Sequence, residues 1–166
     1  MEALSQLEHL ATLNLRGCEL EGLPPLASNR QLMEVHLVYA RGIRSLDGLQ
    51  GCENLHEVDI TYTEISDISA LDKTTSLRLF SAARTGIEDI SALRWAPLQE
   101  LWIGGTEVKD LSPLYGMYTL RNMSLYNTAI ARSWFQDGDI DAKAQYDKLI
   151  ETLPDCEIEW GIADMS

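Results

Sequence analysis

The stretch Leu98-Gln99-Glu100-Leu101-Trp102-Ile103-Gly104-Gly105-Thr106-Glu107-Val108-Lys109-Asp110-Leu111-Ser112-Pro113-Leu114 decides how the chain folds, because its spacing of apolar residues recurs on both sides of it. Units start at Leu10, Leu32, Leu55, Leu77, Leu98 and Leu120, in steps of 22, 23, 22, 21 and 22 residues. A second apolar column follows three residues into each unit (Leu13, Val35, Val58, Phe80, Leu101, Met123), and a third two residues later (Leu15, Leu37, Ile60, Ala82, Ile103, Leu125). Alternation over five residues is the signal of a short strand with one buried face. Its recurrence at a fixed period predicts coils that stack their strands in parallel, each coil burying its apolar side against its neighbours.

Two further columns carry a mechanism. The ninth position reads Cys18, Ala40, Thr63, Thr85, Thr106 and Thr128, and a buried threonine hydroxyl there can satisfy backbone groups where the chain leaves the strand. Coils one and two lack it and are expected to be cornered less firmly. The return arms Asp67-Ile68-Ser69-Ala70-Leu71, Asp89-Ile90-Ser91-Ala92-Leu93 and Asp110-Leu111-Ser112-Pro113-Leu114 repeat one another, with Asp or Ser placed to cap a short helical turn.

This layout resembles the leucine-rich repeat, and the Asp-[Ile/Leu]-Ser-[Ala/Pro]-Leu arm is similar to the subclass in bacterial internalins and in the repeat-containing regulatory subunit of a protein phosphatase. The resemblance spans Leu4 to Ile130. It implies an α/β repeat fold: a leucine-rich-repeat solenoid with a parallel sheet on its concave face and short helical turns or loops on its convex face. It also implies work as a binding module, without naming a partner.

Residues 1–130 are expected to form the solenoid and 131–166 a cap within the same domain. Leu4, Leu7 and Leu10 align with Leu114, Met117 and Leu120, so the chain starts in mid-coil. Preceding repeats in a longer chain, or an edge-mediated dimer, are the expectations that follow. After Ile130 the period stops. Asp137-Gly138-Asp139-Ile140-Asp141 reads as a turn into a helix whose face is Ala142, Tyr146, Leu149, Ile150 and Leu153, ended by Pro154; Cys156-Glu157-Ile158-Glu159-Trp160 returns to strand alternation. A helix and a strand would thus close the stack.

Charge and chemistry narrow the function. With 26 acidic and 13 basic residues, a net of -13, nucleic acid is an unfavourable partner and a basic or neutral protein surface a better one. No run is long and apolar enough for membrane insertion, and Met1 to Leu7 lack the pattern of a signal peptide. Three scattered cysteines speak against a disulfide framework and for a reduced, cytoplasmic compartment. The aspartates at 137, 139 and 141 fail the calcium-loop pattern, with Ala142 where glycine is needed and Lys148 where glutamate is. His9, His36 and His56 fall in different coils and make no zinc pattern. No convergent catalytic site emerges, so no enzyme, metal or cofactor is expected.

What remains is the outward face of the strands. Glu34, His36, Glu57, Asp59, Glu100 and Trp102 point away from the core, and Tyr39, Tyr62 and Tyr126 follow directly after the strands. Together they predict an acidic, aromatic concave face, with the aromatics as anchors and the carboxylates selecting the partner. Trp95, Tyr115 and Tyr118 on the outer arm are expected to be buried between arms. The function expected is non-catalytic protein binding, an inhibitor or immunity-type protein being its sharper form. The rival is a structural or regulatory repeat segment of a larger, surface-attached or multidomain protein.

Overall fold

The computed structural model describes residues 9–162. Leu4 and Leu7, and with them the expected partial coil, lie outside the described residues. Within that range each unit supplies one three-residue strand: β1 (Thr12–Asn14), β2 (Glu34–His36), β3 (Glu57–Asp59), β4 (Leu79–Ser81), β5 (Glu100–Trp102) and β6 (Asn122–Ser124). A seventh, β7 (Glu157–Glu159), joins from the C-terminal segment. All pair in parallel in sequence order, in the register of the sequence columns: Leu13, Val35, Val58, Phe80, Leu101, Met123 and Ile158 form one row. The leucine columns fill the core, and from Leu32 to Leu125 the first three apolar columns are buried without exception.

Backbone hydrogen bonding explains why such short strands hold. Each inner strand bonds both neighbours, and the ladder continues past it, as in Leu37 N–H to Asp59 O at 2.7 Å and Ala82 N–H to Trp102 O at 2.7 Å. At the ninth position Thr63, Thr85, Thr106 and Thr128 are buried, and their hydroxyls donate to the carbonyls of Ile60, Ala82, Ile103 and Leu125 at 2.7, 2.7, 2.7 and 2.8 Å. Coils one and two close the same turn with the main chain instead, Cys18 N–H to Leu15 O at 3.1 Å and Ala40 N–H to Leu37 O at 2.7 Å. These two coils are therefore cornered by a different donor. Thr85→Val should cost about 1–2 kcal/mol, because it leaves the Ala82 carbonyl without its donor at constant side-chain size. A thermal melt unchanged from the parent would remove the hydroxyl from the account of the corner.

On the convex side, 3-10 turns occupy Asp47–Leu49, Ser69–Leu71, Ser91–Leu93 and Ser112–Leu114. Asp67, Asp89 and Asp110 accept from the N–H two residues on, at Ser69, Ser91 and Ser112, at 2.8, 2.7 and 2.8 Å. These bonds hold the Asp67 carboxyl below the usual carboxylate range. The first arm differs: Leu23-Pro24-Pro25 has no helical turn because proline lacks the donor such a turn needs.

The cap contains one helix more than the sequence pattern indicates. Helix α1 (Ala129–Asp137) begins on Thr128, whose hydroxyl accepts from Ala131 N–H at 3.4 Å, and ends on left-handed Gly138, φ 69°. Ile130 thus continues the apolar column from within a helix. Helix α2 (Ile140–Thr152) starts on Asp139, which accepts from Asp141 and Ala142. The Ser133 hydroxyl and these amides hold its carboxyl below the usual range. Ala142, Leu149 and Leu153 are buried as expected, Tyr146 is half-buried, and Ile150 stands exposed. Gln145 ties α2 to the fifth arm, accepting from Leu111 N–H at 2.9 Å and donating to Lys109 O at 3.2 Å.

Candidate binding face

Register brings the outward residues together in two rows. One reads Thr12, Glu34, Glu57, Leu79, Glu100, Asn122 and Glu157; the other reads Asn14, His36, Asp59, Ser81, Trp102, Ser124 and Glu159. Seven strands at a spacing of about 4.8 Å give rows roughly 29 Å long. Glu34 and Glu57 lie directly opposite each other on β2 and β3. Like charges in that arrangement destabilise a sheet. The His36 ring sits between them, 3.7 Å from Glu34 Oε2 and 3.7 Å from Glu57 Oε1. Arg16 reaches across to Asp59 at 3.7 Å. Among the described residues no lysine or arginine pairs with Glu34, Glu57 or Glu100.

Trp102 stands half-exposed on β5, its indole N–H donating to Glu100 Oε2 at 3.1 Å, so the bond fixes both the ring and the carboxylate. The three tyrosines are placed differently from the tryptophan. Strand alternation stops after the third apolar column, where the chain turns through a left-handed residue, and Tyr39 and Tyr62 occupy that position with φ 59° and 57°. They therefore lie on the rim at the C-terminal ends of the strands, beside the carboxylate rows. Tyr126 lies one residue earlier in its unit and rests against Gly161, where an added Cβ would meet the ring at 3.6 Å.

The outer arm departs from expectation. Trp95 and Tyr118 are 70% and 74% exposed, and only Tyr115 is covered, with Lys148 Nζ 4.5 Å from its ring centre. The reason is the shape of the arms: 3-10 turns bury Ile90, Leu93 and Leu111, Leu114 inward and leave the residues just after them facing out. Beside Trp95 a groove of about 700 Å³ runs between the third and fourth arms, lined by Asp67, Asp72, Glu88, Asp89 and Arg94. The cysteines are unpaired; Cys52 is buried, which pushes its thiol up to about 11. Among the described residues no three His, Cys, Asp or Glu side chains are placed to hold a metal ion. No helix among them is long and apolar enough to cross a membrane.

A parallel sheet of one strand per coil, backed by short turns and closed by a helical cap, is a leucine-rich-repeat solenoid. Solved bacterial structures share the architecture. An internalin from Listeria monocytogenes is similar at a TM-score of 0.60 and 19% identity, over 98% of this chain and 64% of that one. Internalin C2 from the same organism is similar at 0.65 and 19%, over 98% and 77%. A leucine-rich-repeat protein of Leptospira interrogans reaches 0.74 at 17%, over 93% of this chain and 38% of that one. The chain thus spans 64% of the first internalin's length, and at these identities the likeness is one of fold. No protein-family model matches the sequence, and no curated protein matches it.

Proposed function

We propose that the chain is a non-catalytic protein-binding module whose open sheet face, centred on Glu34, Glu57, Glu100 and Trp102, takes up a protein partner. The observation that carries this reading is the Glu34–Glu57 opposition. Two carboxylates held side by side, with only the His36 ring between them and no lysine or arginine of the described residues paired to either, weaken the free protein, and a lysine or arginine arriving from a partner would remove that cost. Trp102, two strands farther along the same face and bonded to Glu100, supplies the apolar area that anchors interfaces. An inhibitor or immunity-type role fits a small acidic solenoid, and three unpaired cysteines suit a reducing, cytoplasmic setting.

The test is affinity capture from the source organism, followed by binding measurements on the purified partner. Trp102→Ala is expected to weaken binding by about 30-fold or more, the scale of an interface anchor worth 2 kcal/mol. Its melting temperature should stay close to the parent's, because the ring is half-exposed and closes no part of the core. Strong destabilisation with unchanged affinity would make Trp102 a packing residue and end the reading.

A further inference from the structure

Every unit turns at its eighth position through a left-handed residue: Gly17, Tyr39, Tyr62, Arg84, Gly105 and Asn127, with φ from 56° to 73°. Glycine and asparagine take that conformation readily, whereas a bulky side chain does so under strain. The corner itself does not call for tyrosine, since units one, five and six make it with glycine or asparagine. Burial does not offset the strain either. Tyr39 and Tyr62 are 58% and 49% exposed, and they stack on each other with ring centres 4.9 Å apart and planes 17° from parallel. Strained residues that the fold does not need are characteristic of functional positions.

Two exposed arginines belong to the adjoining corners. Arg41 follows Tyr39 by two residues, and Arg84 is next after Tyr62 in the column. Arg16 and Arg44 are paired, with Asp59 and Glu64, but neither Arg41 nor Arg84 has a carboxylate partner among the described residues. The Arg84 stem lies over Gly105, where an added Cβ would come within 2.8 Å of its Cδ, so the absent side chain makes room for the arginine to extend. On a chain of net charge -13 these two arginines stand without a carboxylate bond among the described residues, although Glu19 is the β-bridge partner of Arg41, whereas the Glu34–Glu57 pair lies at the other end of the strands.

We infer that the Tyr39–Tyr62 stack, with Arg41 and Arg84 of the adjoining corners, docks an acidic, aromatic-bearing segment of a partner protein. A ring of that segment extends the tyrosine stack, and its carboxylates take the planar donor forks of the arginines. The inference rests on the open face being a protein-binding surface and adds a direction to it: cationic groups of the partner lie over Glu34 and Glu57, carboxylates over the rim. The carboxylate rows repel a backbone charged along its whole length more than a short acidic segment confined to the two arginines, which favours a protein over a nucleic acid.

The test uses short labelled peptides with a central tryptophan flanked by glutamates, by lysines or by serines, and a single-stranded RNA of equal length, titrated by fluorescence anisotropy. The glutamate peptide should bind best, release as salt is raised, and lose about tenfold or more in affinity to Tyr62→Asn and to Arg84→Gln. Tyr62→Asn should melt at or above the parent's temperature, as asparagine is at ease in the left-handed turn that Asn127 already makes. A glutamate peptide that binds no better than the serine one, or that ignores Tyr62→Asn, overturns the inference, as does tighter binding of the RNA. A lysine peptide that binds best and responds to Glu57→Gln but not to Tyr62→Asn overturns it while leaving the open-face reading intact; that reading falls separately, on the affinity of the captured partner for Trp102→Ala.

Discussion

Phe80→Ala is expected to lower stability by about 3–5 kcal/mol, the range for removing a large aromatic side chain from a close-packed interior. Phe80 is fully buried and sits in the second apolar column of the central strand β4, between Val58 on β3 and Leu101 on β5. Its own coil carries Ala82 in the third column, where the neighbouring coils have Ile60 and Ile103. The coil with the largest inward residue in one column thus has the smallest in the next, and the pair keeps the inward volume of the coil close to that of its neighbours. Alanine at both positions would leave a void that neighbouring coils can close only by moving the sheet. At about 2–4 °C per kcal/mol for a chain of this size, the melt should fall by roughly 6–20 °C. Because each coil is supported chiefly by its neighbours, the damage sits in the middle of the stack and should also broaden the transition. A fall of less than about 3 °C, read by far-ultraviolet circular dichroism, would show that the stack collapses around the lost ring.

Gly48→Ala is expected to cost about 3 kcal/mol, at the upper end of what overpacking does, although the sequence column invites the substitution. The middle residues of the four 3-10 turns are Gly48, Ala70, Ala92 and Pro113, so alanine looks like the consensus. In the first two coils the arms are too close for it. A Cβ on Gly48 would lie 2.5 Å from Pro24 O, 2.6 Å from Leu23 Cβ and 2.8 Å from Leu23 O, and two of those three atoms are backbone. The extended Leu23-Pro24-Pro25 arm can yield only by giving up the bond from Leu26 N–H to Gly48 O, at 2.8 Å. Gly86→Ala is the control, since its Cβ would meet only Ser66 Cβ, at an ordinary 3.6 Å. A melt for Gly48→Ala as close to the parent as that of Gly86→Ala would mean that the first arm shifts freely.

Period, strand positions and the inward or outward sense of each strand residue were legible in the sequence, because in a stacked coil these are local properties repeated at fixed spacing. The rows Leu13 to Met123 and Glu34, Glu57, Glu100 came out in the expected register for that reason. Helix α1 carried legible signals too, Thr128 before it and Gly138 after it, but Ile130 also satisfied the repeat column and so concealed a helix start.

Other features depend on contacts between coils, which no single unit specifies. Alternation assigns a face to a residue only while the strand lasts, so Tyr39 and Tyr62, one step past it, moved to the rim once the chain turned left-handed. Composition marks Trp95 and Tyr118 as core candidates, yet their exposure depends on where each 3-10 turn ends relative to its neighbour. The sequence alone therefore determined a repeating solenoid with a carboxylate-bearing sheet face, since a strand buries every second side chain whatever surrounds it. Only the tertiary structure decided that Gly48 admits no side chain, that Tyr39 stacks on Tyr62, and that Arg41 and Arg84 of the adjoining corners have no carboxylate partner among the described residues, because each of these depends on distances between residues that are brought together only when one coil stacks on the next.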